Sequence, residues 1–171
     1  ILYQRVKEKN IADIVSKTIA KGEVLDKLLF FDSGTKERIK LEKDVPFYKL
    51  QERLVFGDNG YIDPTSIGDY LGIGGYKALQ KSLTEMDSAA VVAEVKEAGL
   101  RGRGGGGFPA GRKWESAKNV AGDVKYVICN ADEGDPGAYM DRSLLEGNPH
   151  AIVEGMMIGA FAIGATDGYV Y

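Results

Sequence analysis

The chain has 171 residues, 44% of them hydrophobic and 27% charged, with a net charge of −3. That length allows one domain with a core, or one domain plus an arm, and the charge gives no general attraction to nucleic acid. Cys129 is the single cysteine, which excludes an intrachain disulfide and an all-cysteine iron–sulfur or zinc site within one chain, and fits a reducing, cytoplasmic location.

The first residues, Ile1 to Val6, read as a short strand. Asn10 is an N-cap for a helix with Ile11, Ile14, Val15 and Ile19 on one face, closed by Gly22. Glu23 to Phe30 reads as a second short helix. The polar run from Asp32 to Asp44 is a connector or an exposed hairpin. Turn signals follow in the stretches GDNG and DPTS, and a helix is expected after Gly75.

From Asp87 the pattern sharpens. Asp87 or Ser88 caps a helix with Val91, Val92 and Val95 inward, and Gly99 ends it. A glycine-rich loop feeds a further helix with Pro109 at its first turn and Trp114 in the core. Val124 to Cys129 is a short apolar strand, and an acidic loop follows it. Asn148 and Pro149 open a helix running toward Ile163. This apolar stretch, Ala151 to Ala165, is 15 residues long and contains Glu154, so it reads as a buried helix and not a membrane span. The segment GYVY reads as a strand just begun. The element order predicts an α/β domain with at least partly parallel strands.

Gly102, Gly104 and Gly107 match G-x-G-x-x-G literally. A dinucleotide fingerprint of the Rossmann kind needs a strand before the glycines, and here a helix precedes them. A P-loop also fails, because Arg112 and Lys113 replace its Lys and Ser/Thr after Gly111. The physical logic survives both failures. Consecutive glycines from Gly104 to Gly107 let backbone N–H groups approach a ligand and allow positive φ. The loop feeds a helix N-terminus, which favours an anion. Arg101, Arg103, Arg112 and Lys113 add positive charge. The bland alternative is a tight turn whose arginines are merely solvated. Phe108 is either a stacking platform or an anchor for the loop in the core, and spacing alone leans to the anchor.

Asn130, Asp132, Glu133 and Asp135 lie just past the carboxyl end of a strand, where ligands of open α/β sheets gather. They suit ribose or ribityl hydroxyls and repel further phosphate. A solvated turn and a divalent-metal site are the other readings. His150 reads as structural, and Cys129 as an inert thiol in a strand.

Taken together, the stretches GLRGRGGGGFPAGRKW and NADEGDPGAYMDR, with LEGNPHAIVEGMMIGAFAIGA behind them, resemble the family of 51 kDa-type flavoprotein subunits of complex I. They are more similar to the diaphorase subunits of soluble NAD(P)-linked iron hydrogenases and formate dehydrogenases. The likeness is strong from about Gly99 to Tyr171. It is looser from Ile1 to Leu83, where the start resembles the tail of a thioredoxin-like [2Fe-2S] domain. The resemblance implies residues 1–30 as that tail, 31–84 as a connector and arm, and 85–171 as the first part of an α/β domain binding FMN and NAD(P)H. It implies a natural polypeptide continuing past both ends, with cluster cysteines for [4Fe-4S] and [2Fe-2S] centres outside this chain.

The implied activity is hydride uptake from NADH or NADPH by FMN, with electrons passed to iron–sulfur subunits of a hydrogenase, formate dehydrogenase or complex I-like assembly. A phosphate- or nucleotide-binding assembly module without redox activity is the alternative from another class. By motif, Gly102, Arg103, Gly104, Gly105, Gly106 and Gly107 would approach flavin and nicotinamide nucleotide through the backbone, and Lys113 would meet the FMN phosphate or flavin edge. Asn130, Asp132 and Glu133 would hold the flavin side, Phe108 would stack on adenine, and Asp135 would line the same cavity. Two departures stand out. Asp135 replaces a longer glutamate of complex I relatives, and Ser116 replaces an aromatic residue of many members. The acidic loop leads us to expect a modest preference for NADH.

Overall fold

The computed structural model describes residues 1–171. Contacts within the chain divide it into two compact units, Ile1–Leu54 and Val55–Tyr171.

In the first unit, a 3-10 turn at Glu8–Asn10 leads into helix α1 (Ile11–Asp13), which widens into a π-helical stretch, Ile14–Ile19. Gly22, at φ +72°, ends it as expected of a left-handed cap. The expected helix at Glu23–Phe30 is only a 3-10 turn at Asp26–Leu28. The reason is tertiary: Tyr3 pairs as an isolated bridge with Leu29, and strand β1 (Phe30–Phe31) pairs antiparallel with β2 (Arg38–Ile39). The polar run after Asp32 is thus the hairpin connection, and Asp32 Oδ1 accepts the Gly34 N–H at 2.7 Å. Helix α2 (Pro46–Lys49) follows. Leu29 and Val45 are buried here, while Ile11, Val15 and Ile19 stay exposed along one helix face.

The second unit begins with helices α3 (Ile67–Gly72), α4 (Lys77–Thr84) and α5 (Ser88–Glu97). It continues through α6 (Ala110–Asn119), strand β3 (Tyr126–Cys129), α7 (Met140–Gly147), α8 (Pro149–Ile163) and strand β4 (Asp167–Val170). Local chemistry accounts for the boundaries. Ser66 Oγ caps α3 by accepting the Asp69 N–H, Asp87 Oδ1 caps α5 through Ala90, and Asn148 Oδ1 caps α8 through Ala151. Pro149 occupies the first helical turn, and Gly164 at φ +77° closes α8.

Strands β3 and β4 are parallel, with Tyr126 opposite Asp167 and Cys129 opposite Val170. The expected parallel α/β pattern is therefore present, with α7 and α8 as the crossover. β4 starts at Asp167, one residue before the GYVY stretch that reads as a strand. Helix α7 was not expected from the sequence, because its polar start merges with the acidic loop.

Helix α8 is the centre of this unit and packs against α4, α5, α6, α7 and both strands. Val91, Val92 and Ala162 form the buried core, with Met86, Trp114, Ile158 and Phe161 packed around it. The valine stripe of α5 and the inward Trp114 follow the expected pattern. Gly159 lets Trp114 and Val127 close on the helix backbone. No helix of the chain is long and apolar enough to cross a membrane.

The most apolar helix also carries a buried acid. Glu154 is only 7% exposed, and burying an unpaired carboxylate costs several kcal/mol. Here it accepts the Tyr70 hydroxyl at 2.5 Å, the Tyr76 N–H at 2.8 Å and the Leu79 N–H at 3.0 Å. Tyr76, in the left-handed region at φ +62°, is the N-cap of α4 and has no side-chain cap of its own. The carboxylate of α8 thus replaces the missing cap of α4 and binds α3 through Tyr70. His150, one turn earlier, stacks on Tyr70 and meets the Tyr76 hydroxyl through Nδ1 at 2.9 Å. His150 is structural, as its position suggested. Gly75 is required beside this cluster, since a Cβ there would collide with the Tyr70 ring.

Burial pushes the Glu154 pKa up, but the hydrogen bonds from Tyr70, Tyr76, Leu79 and Ala78 outweigh it and hold the value below normal. A depressed folded pKa adds stability above the unfolded glutamate value, about 4.3, and loses it as pH falls through the folded value. We expect Glu154→Gln to remove that part of the acid limb, measured as unfolding free energy against pH. We expect Glu154→Ala to cost about 3 kcal/mol near neutral pH, since several donors lose their acceptor; urea denaturation measures it.

Gly111 gives a second test. A Cβ there would lie 2.7 Å from Lys96 N and 2.8 Å from Lys96 Cα, so backbone would have to move where α5 crosses α6. Alanine gains about 1 kcal/mol of helix propensity, against roughly 1–3 kcal/mol for overpacking. Gly111→Ala should therefore lower the thermal midpoint, whereas a raised midpoint would show that the α5–α6 contact yields easily.

Candidate functional site

The glycine-rich loop is a closed structure with a defined stem. The Gly102 N–H donates to the Phe108 carbonyl at 2.9 Å, and the Ala110 N–H donates to the Leu100 carbonyl at 2.8 Å. Arg101 and Pro109 form an antiparallel bridge between these bonds. Pinched in this way, residues 103–107 project as a short loop directly before α6. Gly105 at φ +92° and Gly107 at φ +58° use backbone that L-residues rarely adopt. A Cβ at Gly104, Gly105, Gly106 or Gly107 would meet nothing within 4 Å. Packing therefore does not demand these glycines. Backbone conformation demands two of them, and together they leave the backbone bare toward open space.

The four basic residues divide into two roles. Arg101 donates from Nη1 to the Gly107 carbonyl at 3.1 Å, and Arg103 donates to the Arg101 carbonyl at 3.1 Å. Both brace the loop by satisfying carbonyls, a role that residue type and spacing did not reveal. Arg112 and Lys113 lie in the first turn of α6 and form no salt bridge. Their charge adds to the positive end of the helix dipole.

Phe108 is 57% exposed, which corrects the core-anchor reading suggested by spacing. The loop is anchored through its backbone stem, so the ring is free to face outward. It borders a cleft of about 460 Å³ shared with Arg112, Lys113, Ser116, Ala117 and Val120. This cleft offers an aromatic face, two cations and a hydroxyl.

The acidic loop leaves the end of β3. Asn130 Oδ1 accepts the Asp132 N–H at 3.0 Å, a local turn of the Asx kind. The carboxylate of Glu133 turns toward α7, where its two oxygens accept the N–H groups of Asp141 at 2.8 Å and Arg142 at 3.2 Å. Asp135 starts a turn closed by the Ala138 N–H at 3.0 Å, with Gly137 at φ +83°. The exposed carboxylates of Asp132 and Asp135 have no salt-bridge partner in the chain. Cys129, half-buried at the end of β3, has its thiol pKa raised by burial and then by the charge of Asp141. That suits an inert thiol.

Lys125, just before β3, donates from Nζ to the carbonyl of Lys118 in the last turn of α6, so the start of β3 lies beside the end of α6. No side-chain hydrogen bond or salt bridge joins the two loops.

The residues present suit a ligand with a phosphate, several hydroxyls and a flat ring. Bare backbone and free cations at a helix start receive phosphate. Exposed carboxylates and an amide can accept hydroxyl donors, and an exposed phenyl ring can stack. No group of His, Cys, Asp and Glu in the chain is arranged to hold a metal ion. The FMN group, if held, would use Lys113 and the loop glycines for its phosphate and polar edge.

Comparison with known proteins agrees with this chemistry. Residues 95–171 match the model of the Nuo51 FMN-binding domain. The chain is 56% identical over 123 residues to HndC of the NADP-reducing hydrogenase of Solidesulfovibrio fructosivorans, covering 72% of this chain and 25% of that protein. It is 50% identical over 105 residues to a component of the NADH-quinone oxidoreductase of Rhizobium meliloti, covering 61% of this chain and 25% of that one. Among solved structures, an NAD+-reducing [NiFe]-hydrogenase in the air-oxidized state matches 99% of this chain and 26% of its own, at 27% identity and a TM-score of 0.54. The chain thus spans about a quarter of the length of the curated relatives it matches. By these matches, residues 95–171 are similar to the Nuo51 FMN-binding domain, the 51 kDa flavoprotein type.

Proposed function

We propose that this chain is the flavin- and nucleotide-binding part of an FMN-dependent NAD(P)H oxidoreductase, working with iron–sulfur electron-transfer subunits in a hydrogenase, formate dehydrogenase or complex I-like assembly. The single observation that carries this reading is the bare glycine loop, held open by its stem and followed at once by the free cations of α6. The family match of residues 95–171 supports it. We further propose the division into residues 1–30 as the tail of a thioredoxin-like [2Fe-2S] domain, 31–84 as connector and arm, and 85–171 as the start of the FMN/NAD(P)H domain.

FMN, when bound, supplies the exchange between two-electron chemistry at NAD(P)H and one-electron chemistry at iron–sulfur clusters. The chain's own residues bind and orient. Backbone N–H groups of Arg103 to Gly107 and the start of α6 receive phosphate oxygens. Lys113 adds a point charge there, Phe108 offers its ring to the adenine of the dinucleotide, and Asn130 and Asp132 accept hydroxyl or ring N–H donors. Asp135 lines the nucleotide side. No side chain here is required as an acid or base.

Lys113 gives a direct test. A charge-assisted hydrogen bond contributes roughly 1.5–3 kcal/mol, so Lys113→Ala in the full-length protein should raise the FMN dissociation constant about tenfold or more. Flavin fluorescence titration measures it, and equal constants for mutant and parent would remove Lys113 from the site.

Nucleotide choice gives another. Asp132 and Asp135 hold unpaired negative charge, and the extra phosphate of NADPH meets repulsion if it lies near them. We propose a modest NADH preference on this ground. Asp135→Asn keeps the shape and removes one charge. The NADPH-to-NADH ratio of kcat/KM should then rise, by up to about tenfold for a ~1.4 kcal/mol change. An unchanged ratio at fixed ionic strength would show that Asp135 takes no part in discrimination.

A further inference from the structure

We propose that Glu133 serves the flavin site as a positioning residue: its carboxylate clamps the start of α7, sets the shape of the acidic loop, and is not itself a cofactor ligand. This rests on the reading above, in which the loop from Asn130 to Asp135 lines the flavin site.

The first N–H groups of a helix have no partner within the helix. Tyr139, the N-cap of α7, provides no side-chain cap. Glu133 fills that deficit from six residues upstream of Tyr139. One oxygen accepts the Asp141 N–H at 2.8 Å and the other the Arg142 N–H at 3.2 Å. Each oxygen accepts one backbone N–H, and the charge sits at the positive end of the helix dipole. Glu133 is half-buried, while Asp132 and Asp135 on either side are exposed.

The clamp closes a loop within the acidic segment. The chain leaves β3, passes Glu133, turns at Asp135 to Ala138 and returns to α7, where Glu133 grips it. Within this ring, Asp135 is held by its turn and Asp132 by the Asn130 side chain. The two carboxylates free to meet a ligand are therefore Asp132 and Asp135, and Glu133 decides where they stand.

The test uses the full-length protein and two measurements: the FMN dissociation constant, and amide hydrogen exchange around Asp141 and Arg142 in the flavin-free state. Glutamine has one acceptor oxygen in place of two. Glu133→Gln should raise the dissociation constant about tenfold and speed exchange at Asp141 and Arg142. A second change supplies α7 with a cap of its own. Tyr139→Asp in the Glu133→Gln background should slow that exchange again and recover FMN affinity, because Asp is a favoured N-cap.

The proposal is overturned if Glu133→Gln weakens FMN while exchange at α7 is unchanged. It is equally overturned if the added cap restores slow exchange but affinity stays low; either result makes Glu133 a direct ligand. If Glu133→Gln speeds exchange without altering FMN affinity, while Asp132→Asn or Lys113→Ala does alter it, Glu133 is a helix cap only and the site reading stands. If none of these variants alters affinity, the site reading itself fails and the proposal fails with it.

Discussion

The buried carboxylate of Glu154 carries the architecture of the larger unit. It sits on the most apolar helix of the chain, where its burial would be unfavourable without partners. Three elements depend on how those partners are supplied. Tyr70 ties α3 to α8, the N–H groups of Tyr76 and Leu79 tie α4 to α8, and His150 packs against both tyrosines. One side chain thus satisfies a helix end, orders an aromatic cluster and selects a single way for α4 to approach α8. Apolar packing alone would allow α4 to slide or rotate along α8 at little cost. Directional bonds to a buried charge do not.

With α8 placed in this way, the site follows from what packs on its other faces. Helix α5 contributes Val91 and Val92 to the core and receives α6 across Gly111, where no Cβ fits. This close crossing fixes the start of α6, and hence the place where the glycine-rich loop opens. Strand β3 lies against α8 through Val127 beside Gly159, which sets the exit of the acidic loop. Both loops are largely exposed, yet each is braced. Arg101 and the backbone stem hold one, and Glu133 holds the other. A binding loop braced in this way loses less conformational freedom when a ligand arrives.

Charge in these loops is divided between side chains that brace the backbone and side chains left unpaired. Arginines and a lysine near a glycine loop read, in sequence, as four equivalent anion-binding charges. In three dimensions Arg101 and Arg103 satisfy carbonyls of the loop, and Arg112 and Lys113 form no salt bridge. The three acids of the opposite loop divide likewise into one that caps a helix and two that stay free. In both loops the side chains that set the backbone shape are of the same chemical type as those that face outward. Residue type alone therefore does not separate them.

Much was legible from the chain itself. Caps at Gly22, Asp87 and Asn148, the valine stripe of α5, the apolar strand before the acidic loop and the parallel α/β pattern depend on neighbours a few residues apart, so their signals lie in short windows. The bare glycine run was equally readable, because positive φ and missing Cβ atoms are local properties. Contacts between distant segments were not readable in this way. Glu154 read only as an interruption in an apolar run, since its donors are 75 to 84 residues away. Helix α7 was hidden because its cap comes from Glu133 and not from its own first turn. Spacing placed Phe108 in the core, although the backbone stem around Gly102 already anchors the loop and leaves the ring outside. Helix and strand periodicity report which way a side chain points along its own element. Whether a buried acid finds its donors, or a ring finds a cleft, is decided only when elements far apart in the chain come together.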